Sequence, residues 1–360
     1  MFHTLTNGNV IHLIGDPHFG RKFLNGVALH RRGEREQMQA WQFNDLMINI
    51  TNADGIKAKA VVMMGDLFDQ FKVDNNTLLT VYDLIAKAAW THEDVTFFMI
   101  QGNHDVTRDT ESTSSFDVLE RMLIHRPNVV FIKEPTQYTI NGDAGRPSDL
   151  LLLFPYDAFS TSNELALGEI DLLFGRKVSA AFGHWDVEDF GGNNANLIPA
   201  AVLAPYCDYI FTGHVHTPKL WVLKKDGSQY PQISEPHVTV VVVGSMQPYS
   251  HGEDPNNNLY VTLPLETITQ RLLKDPTEFH HKCVRVLLKK GEEIPTDLDV
   301  MQISFKYVDE DEKEENEVKM EIFSFRELFM SCMTENEISE ETAESVWSKY
   351  QERNRDAQEA

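Results

Sequence analysis

An α/β chain with a second sheet packed on its first is the architecture this sequence predicts. Three observations predict it. Short apolar runs that end in Gly followed by an acidic, amide or imidazole residue recur along the first 216 positions. Patterns of helical period lie between the early runs. Beyond position 217 the chain changes to strand-like runs parted by turns.

The first run, 10–14, leads into Gly15-Asp16-Pro17-His18 and a polar loop through Arg35. In 36–52, Phe43, Leu46, Met47 and Ile50 recur at helical spacing, with Trp41 nearby. The apolar run 60–64 ends at Gly65-Asp66, and a second helical pattern covers 75–90. The strand at 95–100 ends before Gly102-Asn103-His104-Asp105. Runs 178–182 and 209–212 end in Gly183-His184 and Gly213-His214-Val215-His216. Runs 220–223, 237–243 and 259–263 follow, with Asp226-Gly227 a hairpin signal, and these suggest the second sheet. Two further runs, 284–288 and 301–308, suggest a small α+β cap. An acidic stretch at 309–317 reads as a linker. Two amphipathic helical patterns close the chain, one with Phe325, Leu328 and Phe329, the other with Val346 and Trp347 after a Ser339 N-cap. The expected domains are 1–278 for catalysis, 279–308 for the cap, 309–320 for the linker and 321–360 for the C-terminal helices.

A hydrophobic fraction of 42 % over 360 residues permits a sizeable core and argues against global disorder. The apolar runs are too short to cross a bilayer, so no membrane is expected as a partner. Three scattered cysteines, Cys207, Cys283 and Cys332, form no metal or redox motif, which suits a reducing, cytoplasmic setting. The net charge of −23 opposes nucleic acid on its own, but it is uneven. Residues 292–360 hold 21 acidic and 7 basic side chains, a net of −14, leaving only −9 on the first 291 residues. Several of the remaining carboxylates are candidate ligands that bound cations would neutralise.

Seven residues are the candidate metal ligands: Asp16, His18, Asp66, Asn103, His184, His214 and His216. Residues i and i+2 of an extended segment point the same way, so Asp16 and His18 can reach one ion. A carboxylate such as Asp66 can bridge two cations. Asn103 offers a neutral amide oxygen to the second ion. His214 and His216 share the i, i+2 relation, although a bend can send them to different metals. Mixed nitrogen and oxygen donors suit manganese, iron or zinc better than calcium or magnesium. Paired cations acidify a bridging water and hold phosphate oxygens for displacement. The leaving oxygen then needs a proton. His104 is the candidate to supply it, with Asp105 expected to fix its tautomer. Taken singly, a Gly-Asp or Gly-His is more often a turn or a structural histidine; the combination in this order favours a metal site.

These five motifs resemble those of the calcineurin-like metallophosphoesterases, whose fold is two facing mixed β-sheets flanked by helices. Gly65-Asp66-Leu67-Phe68-Asp69, Gly244-Ser245-Met246-Gln247-Pro248-Tyr249 and the acidic, helical C-terminus are similar to the SbcD-type recombination nucleases, including bacteriophage versions. The resemblance implies one metal on Asp16, His18, Asp66 and His216 and a second on Asp66, Asn103, His184 and His214. It implies a manganese-dependent DNA nuclease of recombination and repair, with two Mn2+ ions. It also implies an SbcC-type ATPase partner gripping the C-terminal helices, and the host cytoplasm as location for a phage-encoded chain. Pro17 departs from residues frequent at that position but removes no ligand.

Arg21, Lys22, Arg31, Arg32 and Arg35 form the densest basic segment and are the candidate DNA-binding residues, the alternative being charges paired with Glu34 and Glu36. The 75–90 pattern is a candidate homodimer face. The rival functions are a small-molecule phosphodiesterase, a protein phosphatase, or a non-catalytic scaffold of the same fold.

Overall fold

The computed structural model describes residues 1–308, apart from 108, 110–111, 143–146, 174, 188–194, 229–235, 255–257 and 294–297. The chain divides into two compact units, Met1–Tyr307 and Val308–Ala360. The expected linker and C-terminal helices lie outside the described residues.

In the first unit, β1 (Phe2–Thr4) and β2 (Val10–Ile14) precede α1 (Glu34–Ile48), β3 (Ala60–Met63), α2 (Asn75–Thr91), β4 (Thr96–Ile100), α3 (Ser115–Met122) and β5 (Val129–Ile132). The five strands form one sheet in sequence order, with β1 antiparallel to β2 and the rest parallel. The chain then adds β6 (Thr136–Ile140), β7 (Asp149–Leu153), α4 (Ser162–Asp171), β8 (Val178–Gly183), α5 (Ala200–Leu203), β9 (Cys207–Thr212), β10 (Lys219–Lys224) and β11 (His237–Val242). These strands make a six-stranded mixed sheet in the order β10-β11-β9-β8-β7-β6. A three-stranded parallel sheet follows, from β12 (Tyr260–Pro264), β13 (Cys283–Leu288) and β14 (Gln302–Tyr307), with α6 (Leu265–Leu272) between the first two.

The central strands β2, β3, β4 and β8 are buried along nearly their whole length because both faces are covered. On β2, Ile11 and Leu13 point toward the second sheet, while Val10 and Ile14 join the cluster under the helices. β4 divides the same way, with Phe98 and Ile100 inward and Phe97 and Met99 toward the helices. Leu151, Leu153, Phe182 and Phe211 from the second sheet complete the layer between the sheets. α1 and α2 bury Phe43, Met47, Val81 and Ile85 on the outer face of the first sheet. α3 and α4 start at capping boxes, Ser114 with Asp117 and Thr161 with Glu164.

Two expectations are corrected. The second sheet does not begin beyond position 217, because β6, β7, β8 and β9 already belong to it. The run at 259–263 does not extend the second sheet: β12 pairs with β13, so the small sheet begins near residue 260 rather than at 279. α6 is a crossover joining two parallel strands, and a parallel pair needs such a connection.

Phe98 has no exposed surface and lies between the two large sheets, 4.7 Å from the Tyr138 ring. Phe98→Ala is expected to lower unfolding stability by about 3–5 kcal/mol, read from urea titration with an unchanged m-value. A loss below about 1 kcal/mol would show that this layer does not carry the fold.

Candidate metal centre

All seven candidate ligands follow the C-terminal ends of five strands. Asp16 and His18 leave β2, Asp66 leaves β3 and Asn103 leaves β4, while His184 leaves β8 and His214 and His216 leave β9. The first sheet thus supplies three of the loops and the second supplies two, so the centre exists only where the two sheets face each other. Buried parallel strands hold such loops rigidly at one rim.

The backbone is bent to bring the groups together. Among the described residues, three non-glycine residues have left-handed φ angles: His18 at 51°, Asp66 at 44° and His214 at 69°. All three are candidate ligands, and such angles in bulky residues persist only where the surroundings enforce them. Gly65, at φ 111°, shows why glycine precedes a ligand. A Cβ there would stand 2.2 Å from His184 Nδ1, so a ring from the second sheet occupies the space a side chain would take. Backbone bonds also stitch the first two loops, with His18 N donating to the Asp66 carbonyl and Phe19 N to that of Leu67, both at 2.9 Å.

The hydrogen-bond partners fix the tautomers, and the tautomers reveal the purpose of the site. His184 Nδ1 lies 2.9 Å from the Met64 carbonyl, which can only accept, so Nδ1 keeps its proton and Nε2 is the atom that turns a lone pair to a cation once the ring is neutral. His214 Nε2 is 2.7 Å from an Asp186 carboxylate oxygen, leaving its Nδ1 lone pair free. His216 Nδ1 faces Glu253 at 3.3 Å, which again leaves Nε2 bare. These lone pairs converge. His184 Nε2 and His214 Nδ1 are 3.2 Å apart, and each lies within 2.9 Å of Asn103 Oδ1. His216 Nε2 is 3.0 Å from His18 Nε2. Nitrogens and oxygens crowded this closely need a positive charge among them, a proton in the metal-free protein or a cation in the loaded one. Asp16 adds a buried oxygen, Oδ1, with no hydrogen-bond partner, while its Oδ2 accepts from His214 N at 2.7 Å. Asp66 Oδ2 lies 3.7 Å from His18 Nε2 and 3.3 Å from His184 Nε2, between the two groups, as a bridging carboxylate requires. Two subsets, Asp16–His18–His216 and Asp66–His184–His214, each bring their ligand atoms within 4.8 Å of one another. The donor set therefore fits a pair of divalent cations.

Electrostatics agree. Burial pushes the Asp16 carboxyl up, the His184 ring opposes this and the Asp66 charge adds to it, leaving it at about 6. Burial opposes charge on His184 too, but the Asp66 and Asp16 carboxylates outweigh it and raise that ring to about 10. Burial lowers His18 to about 3 against the pull of Asp66. Without cations, the site substitutes a proton on His184 for the missing positive charge.

Two members of the supporting shell carry no sequence signal. Asp186 and Glu253 orient His214 and His216. Asp69 Oδ1 approaches His18 Nδ1 at 3.6 Å, and the Asp69 carbonyl accepts from His104 Nδ1 at 2.5 Å. This corrects the role expected of Asp105. Its buried carboxylate accepts instead from the backbone N–H groups of Gly102, Phe68 and Leu67 at 3.0, 3.2 and 3.3 Å, tying two ligand loops together. The 244–249 segment braces the first loop: Met246 N and the Tyr249 hydroxyl both donate to the Asp16 carbonyl, at 3.2 Å each.

The basic segment divides. Arg31 and Arg35, each only 2 % exposed, are structural rather than DNA-facing, which corrects their assignment. Arg31 binds Glu34 at 2.8 Å, Asp299 at 2.9 Å and the His280 carbonyl at 2.6 Å. Arg35 binds Gln247 Oε1 at 2.9 Å and the Pro248 carbonyl at 3.1 Å. Arg32 and Lys22 are exposed, and Arg21 is partly so.

Cation binding must displace the His184 proton, because that ring is charged at neutral pH and a coordinating nitrogen cannot be. Titrating Mn2+ into metal-free protein at pH 7.5 is expected to release protons, seen as heats that vary with buffer ionisation enthalpy. Apparent affinity should rise with pH and fall further below about 6, where Asp16 also takes up a proton. Buffer-independent heats would contradict this charge balance.

The calcineurin-like phosphoesterase family profile matches residues 10–218, which contain every one of these ligands. The DNA polymerase II small subunit of Thermoplasma acidophilum is 26 % identical over 217 residues, covering 57 % of this chain and 41 % of that subunit. The chain therefore spans less than half the length of this relative. A dimetal phosphatase from Danio rerio aligns in structure with a TM-score of 0.38 and 13 % identity, over 66 % of this chain and 87 % of that one. With more than half of its length matched and two facing mixed sheets flanked by helices, the chain belongs to the calcineurin-like phosphoesterase family, whose members are metal-dependent hydrolases of phosphate esters.

Proposed function

We propose that this chain is a manganese-dependent DNA nuclease, the catalytic subunit of an SbcC/SbcD-like recombination and repair assembly. The observation that carries the reading is the position of His104. Its side chain is 40 % exposed at the rim of the ligand cluster, with Nε2 4.0 Å from Asp66 Oδ2. Because the Asp69 carbonyl accepts from Nδ1, the outward Nε2 is the atom that exchanges protons with a bound ester.

Asp16, His18, Asp66 and His216 would hold one cation, and Asp66, Asn103, His184 and His214 the other. When bound, such a pair acidifies water and neutralises the phosphate oxygens. The rest falls to the protein. His104 holds the proton that the departing sugar oxygen needs. Asp105 keeps the loops bearing Asp66 and His104 in register. Asp186 and Glu253 keep the imidazoles in their coordinating tautomers. The name of the Thermoplasma relative, a DNA polymerase subunit, supports a polymeric DNA substrate. Arg21, Lys22 and Arg32 retain charges available to its backbone. Residues 321–350 are proposed to dock in an ATPase subunit, and α2, which exposes Leu79 and Trp90, to pair two copies of the chain.

The reading is tested with linear duplex DNA, single-stranded DNA, bis(p-nitrophenyl) phosphate and p-nitrophenyl phosphate, each with Mn2+, Mg2+ and Zn2+. DNA cleavage should be strongest with Mn2+. His104→Ala should lower kcat on DNA by about 10²–10⁴, and Asp66→Ala should abolish turnover of every substrate. Preference for the monoester over DNA would replace this reading with a phosphatase. Deleting 321–350 should abolish co-purification with the ATPase while sparing Mn2+-dependent cleavage; retained binding would remove that partner assignment.

A further inference from the structure

A cavity of about 270 Å³ opens beside the metal centre, between the basic N-terminal loop and the small sheet. Tyr249 forms the shared wall. Its ring lies 5.4 Å from that of His18 and 5.5 Å from that of His216, and it also lines the cavity. Three cationic side chains line the cavity, Arg21, Lys22 and Arg285, and no acidic residue does so among the described residues. In a protein of net charge −23 such a lining is a strong departure from the average. Arg285, on β13, has no carboxylate partner among the described residues. Arg21 stands over the Tyr249 ring at 4.9 Å, with Asp69 at the outer limit of pairing, 3.9 Å away. Lys22 pairs with Asp74 at 3.1 Å, but both are exposed and the pair is readily exchanged.

The aromatic side of the cavity is built with equal care. Phe23 and Tyr260 line it, and buried Arg35 stands behind them, 4.5 Å from one ring and 5.6 Å from the other. Gln302 and Ser304 also line the cavity, and Gln302 Oε1 and Ser304 Oγ are buried without hydrogen-bond partners. Cations without acids, flat rings and spare polar atoms are the features that recognise a phosphate attached to a planar base. At about 270 Å³ the cavity is far too small for a duplex.

We propose that this cavity is a metal-independent subsite for the nucleotide next to the scissile phosphate, with Arg285 as its specificity-determining residue. The inference rests on the nuclease reading and deepens it: the small sheet holds one unpaired nucleotide of the strand while the metal centre takes its neighbour.

The test uses the full chain stripped of metal with EDTA. By titration calorimetry, dAMP should bind, inorganic phosphate should bind more weakly and deoxyadenosine not at all. Arg285→Gln should weaken dAMP binding by about tenfold, and Arg285→Lys by less. Lys290→Gln, which removes an exposed charge just beyond β13, should not change it. With Mn2+, Arg285→Gln should also lower the ratio of kcat/KM on an oligonucleotide to that on bis(p-nitrophenyl) phosphate by about tenfold. Melting temperatures within error of wild type exclude misfolding as the cause. If dAMP binds through Arg285 but no DNA is cleaved, the nuclease reading fails and the nucleotide subsite stands. If DNA is cleaved and Arg285→Gln moves neither dAMP affinity nor the ratio, the subsite fails and the nuclease reading stands. Failure of dAMP to bind wild type also overturns the subsite.

Discussion

Mutual repulsion among inward-facing lone pairs is the constraint on which this structure turns. Imidazole nitrogens from His18 and His216 face each other at 3.0 Å, and those of His184 and His214 crowd the same amide oxygen. Nothing in a polypeptide places acceptors so without a positive charge to come between them. The left-handed backbone at His18, Asp66 and His214 and the missing side chain at Gly65 both make room for this convergence. The centre also imposes a demand on the core. Its ligands come from two sheets, so the interlayer of Leu13, Phe98, Phe182 and Phe211 sets the spacing of the donors as well as the stability of the fold.

Much of this was legible in the chain. Every ligand followed an apolar run, and those runs became β2, β3, β4, β8 and β9 with ends within two residues of expectation. The ligands were visible because each sits one to four residues past a strand, a local relation. The supporting shell was not, because Asp186 and Glu253 bear no regular spacing to the histidines they orient. α3 and α4 are not legible although their capping boxes stand in the sequence, because eight and ten residues carry too little periodicity. β12 joins the small sheet against expectation because an apolar run declares a strand but not its partner.

The basic loop shows the limit of reading charge from sequence. Five cations in fifteen residues suggest an external patch. Two of them are instead internal braces, because their acceptors (Asp299, the His280 carbonyl, Gln247 and the Pro248 carbonyl) lie more than two hundred residues away. A buried guanidinium needs several fixed acceptors, and only the tertiary fold reveals that they exist. What remains at the surface is smaller and more local than the composition implied, and it lies against an aromatic wall.

The brace between Arg31 and Asp299 spans 268 positions. During translation the N-terminal loop leaves the ribosome long before its anchor has been made. Until then the guanidinium can bond only to its near neighbour Glu34, and the loop has no fixed path. Residues synthesised late, around His280 and Asp299, therefore complete the first loop, and its rim closes only after they have left the ribosome.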